Sequence, residues 1–273
     1  MKAAIVLMLI FLTTSYGAFE DLYTTPRGEG LANAFSALSN DLSALQYNPA
    51  GLSEILNINV AGFYKLLYGG LGVGLHHLGF SFGYPLKGTS GALGLGVQEI
   101  GFQLHSEKIL SFGYGFNLAK DLSVGAVFRG YALSQDRYGK GFSWGFDLGV
   151  IGRIYRRWQY GFVIHNLNNP QIGFDVKYDL PCKINVGLLY QPTLGINSLF
   201  EVTKEIGKPT RIAVAQELEI IEDYLTLRAG LITEPVQFNF GLRTGFSNLK
   251  LDYALNWKSE LPLTHNLGIS YNF

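Results

Sequence analysis

Basic side chains on one face of a predicted sheet are the main candidates for binding chemistry in this 273-residue sequence. Arg228, Arg243 and Lys250 fall on three consecutive predicted strands, at positions that share one face. Guanidinium and ammonium groups placed together can bind a carboxylate, and charged side chains on this face can also hold an enclosed N-terminal segment by ion pairs. The alternative, which we favour, is that they form ion pairs with acidic neighbours inside a narrow barrel. The other charged residues assigned to this face are Arg129, Asp147, His165, Lys183, Glu201, Arg211, Glu217 and Asp252.

Several short patterns in this sequence resemble enzyme motifs, but each lacks residues that the motif requires. The glycine-rich residues 69–74 lack the Lys-Ser/Thr of a phosphate-binding loop. His76 and His77 are adjacent, so on a strand they point to opposite faces and cannot share a metal ion. His165 has no accompanying serine motif. The sequence therefore predicts a protein that is not an enzyme, with no catalytic residues, no metal and no cofactor.

Period-two alternation dominates the chain from Asn57 to Phe273. In the clearest case Leu249, Leu251 and Tyr253 share one face, while Lys250 and Asp252 share the other. Repeats of this pattern predict fourteen strands. Their expected starts are Asn57, Leu75, Ala92, Ile109, Leu122, Phe142, Trp158, Cys182, Ile196, Thr210, Leu225, Val236, Leu249 and His265.

The composition favours a membrane barrel over a soluble sandwich or barrel. Charged residues make up 15% of the chain and aromatic residues 14%, and there are 34 glycines. Soluble domains carry roughly 25% charged residues. Tyrosine and tryptophan also concentrate near strand ends, as in the aromatic girdles of outer-membrane barrels. We predict an all-β, 14-stranded antiparallel transmembrane β-barrel with a short N-terminal helical plug. Its longer extracellular loops are expected at residues 134–141 and 166–181.

Residues 26–52 form the only part after the N-terminus with a helical period. Their apolar positions include Leu31, Phe35 and Leu38, which either line an apolar ligand channel or pack the plug inside the barrel. The segment ends in a turn, and its proline and glycine suit a change of chain direction more than a ligand contact. The residues of this turn are Asn48, Pro49, Ala50 and Gly51.

The two ends of the chain carry predicted targeting signals. Residues 1–17 read as a signal peptide, residues 18–56 as the plug and residues 57–273 as the barrel. Tyr271 and Phe273 end the last strand with aromatic side chains, which we interpret as a barrel-assembly signal. The single Cys182 excludes an intrachain disulfide, and a net charge of zero gives no indication of nucleic-acid binding.

Residues 27–38, Asn40-Asp41 and the run Asn48-Pro49-Ala50-Gly51-Leu52 resemble the N-terminal hatch of FadL-like outer-membrane proteins. Residues 251–255 and the closing strand 264–273 are similar to the shorter PorV/PorQ-type branch. The resemblance implies passive transport of hydrophobic, fatty-acid-like molecules across the bacterial outer membrane. The alternative it implies is an interaction or shuttle protein of type IX secretion. A third option is a purely structural barrel with a sealed lumen. The expected partners are outer-membrane lipids, the barrel-assembly machinery, and either a hydrophobic ligand or a secretion-system component.

Overall fold

The computed structural model describes residues 18–19, 24–68, 74–259 and 261–273. The predicted signal peptide lies outside these residues. The N-terminal segment forms helix α1 (Pro26–Gly30), helix α2 (Ala44–Tyr47) and a 3-10 helix (Pro49–Glu54). The helical period predicted over residues 26–52 does not form one continuous helix, because turns occupy most of residues 31–43. No helix in the described part of the chain is long and apolar enough to cross a membrane.

Fourteen strands of the described chain form a closed barrel, and β8 and β9 form a separate small hairpin. Each barrel strand begins within four residues of its predicted start. The strands are β1 (Asn59–Leu66), β2 (His76–Pro85), β3 (Gly91–Phe102), β4 (His105–Ala119), β5 (Leu122–Gln135), β6 (Gly139–Ile154), β7 (Trp158–His165), β8 (Gln171–Gly173), β9 (Lys177–Asp179), β10 (Lys183–Tyr190), β11 (Ile196–Glu205), β12 (Arg211–Ile221), β13 (Leu225–Ile232), β14 (Gln237–Phe246), β15 (Leu249–Lys258) and β16 (Leu261–Asn272).

Antiparallel pairing of β1 with β16 closes the barrel, from Asn59 opposite Asn272 to Leu66 opposite His265. The end that holds Asn59, Asn272 and the β10–β11 turn is called the turn end below. The opposite end, called the loop end, carries residues 166–182 and the β8–β9 hairpin. The long loop predicted at residues 134–141 is wrong, because β5 and β6 extend until only residues 136–138 connect them.

The two faces of the barrel wall differ in the way the alternation predicts. On β6 the outward Leu148 is 40% exposed, whereas the neighbouring inward Asp147 is fully buried. The outward face is a band of exposed aliphatic and aromatic side chains on every barrel strand. An apolar exterior around a polar, charged interior is the arrangement of a barrel that stands in lipid.

The N-terminal segment lies inside the barrel and is called the plug below (residues 24–55). Its α1 contacts β13 to β16, and its 3-10 helix contacts β3 to β6. Two clusters of buried apolar side chains join the plug to the wall, one around Phe35 and one around Leu45. A third cluster lies outside the plug and places Phe19 against Tyr131 at the loop end, with the ring centroids 5.1 Å apart.

Candidate lumen site

Helix α1 presents its two charged side chains to opposite ends of the lumen. The helix begins because the Thr25 hydroxyl accepts a hydrogen bond from the Gly28 amide (3.3 Å) and Pro26 occupies its first turn. Arg27 faces the turn end, where it lines a large cavity. Glu29 faces the loop end, where it lines a small one. Helix α1 therefore lies between the two cavities.

Four wall residues on the neighbouring strands β12 to β15 form a chain of three ion pairs beside α1. Glu217 and Arg228 are direct partners across β12 and β13, with Arg228 Nε 2.7 Å from Glu217 Oε2. Arg228 Nη1 lies 2.7 Å from Asp252 Oδ1. Asp252 is the direct partner of Arg243 across β14 and β15, at 2.9 Å. Strand register thus sets each carboxylate beside an arginine.

Two plug residues close these ion pairs into a ring. Arg27 Nη2 lies 3.1 Å from Glu217 Oε1, and Arg27 Nη1 lies 2.7 Å from Asp41 Oδ2. The last link is the weakest, with 3.8 Å between Arg243 Nη2 and Asp41 Oδ2. The six side chains Arg27, Asp41, Glu217, Arg228, Arg243 and Asp252 are called the charge ring below. Three arginines balance three carboxylates, so the ring is electrically neutral.

The pKa of Asp41 shows how strongly this plug residue is tied to its neighbours. Burial of its carboxyl group disfavours the charged form, but the positive charges of Arg27 and Arg243 outweigh burial and lower the pKa to about 2. The pKa of Arg27 is raised because Glu217 and Asp41 outweigh its own desolvation. Both groups are therefore charged at neutral pH, and the link between the plug and the wall is ionic.

The second charged side chain of α1 is fixed at the loop-end face. Glu29 forms an ion pair with Lys65 of β1 and accepts a hydrogen bond from Thr24. Asn266 Nδ2 of β16 also donates to Glu29 Oε2, at 2.9 Å. Glu29 thus binds both strands of the β1–β16 closure, whereas Arg27 binds Glu217 of β12, so α1 is held to the wall on both of its faces.

The two cavities differ greatly in size. The turn-end cavity has a volume of about 580 Å³ and reaches from the charge ring to the β10–β11 turn. The loop-end cavity has a volume of about 80 Å³ and lies between Glu29, Lys65 and Tyr68. A drug-sized molecule fits only the first, since ligand pockets span roughly 300–1,000 Å³.

An apolar groove on the outside of the barrel lies against the turn-end cavity. It has a volume of about 450 Å³, and its outward side chains include Tyr64, Tyr253 and Leu267. The groove and the turn-end cavity share wall residues, among them Gly62 and Gly268. Gly62 is paired with Ile269 across β1 and β16, and Phe63 with Gly268. One hydrogen-bonded layer of strands therefore separates the lumen from the groove.

The predicted ligand residues divide into two groups in the structure. Arg228, Arg243 and Lys250 all line the turn-end cavity, and the two arginines belong to the charge ring. Lys250 Nζ lies 4.0 Å from Asp223 Oδ1, in a more exposed pair. A role for these three residues in binding a carboxylate stays a prediction.

The predicted apolar residues of the plug lie elsewhere. Leu31, Phe35 and Leu38 are buried in one cluster with side chains of β10 to β13, such as Leu199 and Ile232. None of the three is among the residues that line the turn-end cavity. Their packing against the wall is visible, and any contact with a ligand stays a prediction.

The predicted plug turn adopts a 3-10 helix that presses on the wall. Asn48 caps it by accepting from the Ala50 amide (3.2 Å), and its amide nitrogen donates to Ser36 O (2.8 Å). Pro49 occupies the first turn. At Gly51 any Cβ would lie 1.8 Å from Ser39 O, so only glycine fits this approach.

The predicted barrel-assembly residues lie on the strand that completes the barrel. Tyr271 is 39% exposed and Phe273 is 66% exposed, and their ring centroids lie 4.8 Å apart. The Phe273 amide donates to Ile58 O at 2.9 Å beside the β1–β16 seam. Their recognition by an assembly machinery stays a prediction.

The sequence analysis missed the charged residues of the plug. Arg27, Glu29 and Asp41 are the only charged residues between positions 24 and 53, among small and apolar neighbours. That isolation was the available signal, because a charge enclosed in a barrel needs a partner. The analysis also missed the contact of Ser36 with Glu201, whose carboxylate accepts from the Ser36 amide (2.8 Å) and hydroxyl (2.7 Å).

Comparison with solved structures finds the same fold in hydrocarbon channels. The CymD monoaromatic hydrocarbon channel aligns with a TM-score of 0.68 and 12% identity, over 94% of this chain and 99% of that chain. A Pseudomonas aeruginosa FadL homologue gives a TM-score of 0.63 and 13% identity, over 92% and 98%. The P. putida toluene transporter TodX gives a TM-score of 0.62 and 12% identity, over 85% and 94%.

No family model and no curated protein sequence matches this chain. The likeness is therefore one of fold. The chain has the closed, 14-stranded antiparallel barrel of the FadL-like channels, with short helices at its N-terminus that fit a plug.

Proposed function

We propose that this protein is a channel of the bacterial outer membrane through which hydrophobic small molecules pass without an energy source. The observation that carries the proposal is the position of α1, which lies between a loop-end and a turn-end cavity and is held there by ion pairs and hydrogen bonds. The apolar exterior and the fold of known hydrocarbon channels support it. The protein is not an enzyme in this proposal.

The proposed route begins at the loop end and requires displacement of α1. A molecule that enters the small cavity meets Glu29 and Lys65, and beyond them the charge ring. Burial of apolar surface, at about 25 cal/mol per Å², favours entry from water. From the turn-end cavity the molecule leaves at the turn end or through the thin wall beside Gly62 and Gly268.

Uptake by cells tests the proposal. Gram-negative cells that lack their own hydrophobic channel would be given this chain, and the entry of a labelled fatty acid and a labelled alcohol would be measured. Deletion of residues 26–45 removes α1 and should change uptake. That deletion also removes plug side chains that pack against the wall. The Asp41→Asn variant is therefore tested as well, because it changes one charge of the ring and keeps this packing. Uptake equal in cells with and without a correctly folded barrel would refute the proposal.

A second proposal is an interaction subunit of type IX secretion, supported by the size of the chain and by the resemblance of residues 251–255 and of the closing strand 264–273 to the PorV/PorQ-type branch. Affinity purification from outer membranes separates the two proposals. A stoichiometric translocon or secreted protein bound to the barrel supports the second. Recovery of the barrel without such a partner supports the first.

A further inference from the structure

Charged side chains at the turn end of the barrel are segregated around its rim. The three turns between β2 and β7 (residues 86–90, 120–121 and 155–157) carry four exposed basic residues, none of which has an ion-pair partner in the described part of the chain. Asp121 is the one acidic residue of these turns. The turn between β12 and β13 carries the opposite charge, with Glu222 and Asp223. The four basic residues, called the basic rim below, are Lys87, Lys120, Arg156 and Arg157.

The three turns of the basic rim form one continuous surface. The Asn117 amide at the end of β4 donates to Ser90 O of the first turn, at 2.9 Å. The Arg153 amide of β6 donates to Asp121 O of the second turn, also at 2.9 Å. Because adjacent strands lie about 4.8 Å apart, successive turns are separated by about 10 Å. Their positive charges therefore act on the same stretch of surface.

The basic rim lies directly beside the apolar outer face of the barrel. The outward side chains nearest to its three turns are Tyr84, Leu118 and Trp158, which are 41%, 60% and 40% exposed. Aromatic side chains of membrane proteins concentrate at the boundary between hydrocarbon and water. The basic side chains follow or precede these residues by one to three positions, so they lie at the level of the lipid head groups.

The third turn of the basic rim holds its side chains in fixed positions outside the wall. Tyr155 has a φ of +55° and is 90% exposed, so a bulky ring adopts an unfavourable backbone conformation with few contacts in the described chain. The turn is nevertheless held, because Arg157 O accepts from the Gln191 amide (2.8 Å) and the Trp158 and Tyr190 ring centroids lie 4.4 Å apart. Two guanidinium groups and a tyrosine ring are thus presented together.

We propose that the basic rim binds the phosphate head groups of anionic phospholipids, of the phosphatidylglycerol class, in the membrane leaflet at the turn end. This inference goes beyond the proposed function, since it concerns how the barrel is held in its membrane. Guanidinium groups donate paired hydrogen bonds to phosphate oxygens. Phosphatidylethanolamine offers the same phosphate, but its ammonium group is repelled by the basic rim. An acidic polypeptide would match the charge and would gain little from the apolar face beside it.

Lipid binding by the purified full-length barrel tests the inference. The barrel would be placed in lipid nanodiscs with equal parts of phosphatidylglycerol and phosphatidylethanolamine, released, and examined by native mass spectrometry for the lipids that stay bound. We expect phosphatidylglycerol to be retained at least about fivefold over phosphatidylethanolamine, the effect of roughly one basic residue near an anionic surface. Equal retention of the two lipids would overturn the inference.

Matched variants locate the binding surface. The pair Arg156→Gln, Arg157→Gln should lower phosphatidylglycerol retention about tenfold, and Lys120→Gln alone should lower it about threefold. The control pair Lys140→Gln, Lys177→Gln removes the same charge from exposed residues at the loop end and should leave retention unchanged. The single Lys120 change decides the question if the arginine pair does not assemble.

Two outcomes of these measurements would overturn the assignment. An equal loss of lipid in the arginine pair and in the control pair would show a general effect of net charge. Displacement of phosphatidylglycerol by polyglutamate at equal charge would identify an acidic polypeptide as the better occupant. Lipid retention is measured without transport, so a failure of the proposed function in the uptake assay would leave this result unchanged.

Discussion

The plug meets the barrel wall in two different ways on its two sides. Beside β4 to β6 it makes backbone contacts with glycines. A Cβ on Gly125 would lie 2.3 Å from Pro49 O, and one on Gly115 would lie 2.4 Å from the same atom. Beside β12 to β15 the charge ring fills the space with long side chains. One side is a close steric fit, and the other is an ionic link.

The difference separates a fixed part of the plug from a part that can be released. Shape complementarity through backbone contacts changes little with salt or pH and allows one arrangement. Ion pairs between side chains can exchange one partner for another without moving the wall. The glycine side therefore anchors the plug, and the charged side, with α1, is the part we expect to move when a molecule passes.

The largest effect is expected from a change on the glycine side. Gly125→Val would force a side chain into Pro49 and Ala50, and overpacking of this kind costs about 3 kcal/mol or more. We expect most of this variant to fail to reach the heat-modifiable folded form seen on gels. Gly130→Val is the matched control, because Gly130 lies on the same strand with open space around its Cβ position. Normal folding of the Gly125 variant would show that the plug does not need this contact.

The next effect concerns the centre of the charge ring. Arg228→Met leaves Glu217 and Asp252 without their shared cation, and removal of one partner from a buried ionic group costs about 3 kcal/mol. We expect a lower unfolding midpoint in denaturant but an assembled barrel. The double change Arg228→Met and Glu217→Gln keeps the ring neutral, because Arg27 stays paired with Asp41 and Arg243 with Asp252, and it should recover much of that loss. A double variant as unstable as the single one would contradict the ionic account.

A smaller effect is expected at the edge of the ring. The Asp41 side chain is 31% exposed, so loss of its charge in Asp41→Asn should lower plug stability by only about 1 kcal/mol. Hydrogen exchange of the α1 amides would report this as faster local opening. Asp136→Asn, which changes an exposed pair with Arg137, should leave α1 exchange unchanged. Equal exchange rates of the α1 amides in the Asp41→Asn and Asp136→Asn variants would show that Asp41 does not restrain α1.

The pH dependence of Asp41 has a defined sign. Its pKa of about 2 in the folded protein lies below the usual value of about 4, so its stabilising effect is complete above pH ~4 and is lost as the pH falls towards 2. The difference in α1 exchange between the parent and the Asp41→Asn variant should thus be constant from pH ~7 to ~5 and shrink below pH ~4. A difference that vanishes near neutral pH would contradict the lowered pKa.

The smallest effect is expected at Lys250. Its ammonium lies 4.0 Å from a carboxylate that is 74% exposed, and such surface pairs contribute about 0–1 kcal/mol. Lys250→Gln should leave the unfolding midpoint within error of the parent. A loss as large as that of Arg228→Met would show that the sequence-based grouping of Arg228, Arg243 and Lys250 describes the energetics better than the ring does.

The sequence predicts the barrel well because alternation is a local signal. The pattern around Leu249 and Tyr253 fixes which side chains face lipid, and repeated fourteen times it fixes the strand count. The conformation of the plug depends on contacts with the distant wall strands, so no local sequence pattern predicts it. The period at Leu31, Phe35 and Leu38 reflects a cluster built by the wall, and the same spacing is compatible with turns.

The charge ring, too, could be predicted only in part from local sequence patterns. Strand order brings Glu217 beside Arg228 and Arg243 beside Asp252, so the wall half could be anticipated from alternation. Arg27 and Asp41 come from a segment without regular pairing, and only the folded chain shows which carboxylate each one meets. The lesson is that isolated charges in a plug point to partners on the wall, without saying which.

The most direct test of the account asks whether α1, held by the ring, is the barrier in the lumen. Entry of labelled octanol would be compared in cells that carry the parent barrel and cells that carry the Arg27→Met, Glu217→Gln pair, at equal amounts of folded barrel. We predict that release of α1 raises the entry rate several-fold. An unchanged rate would contradict the account, because the ionic link would then not limit passage.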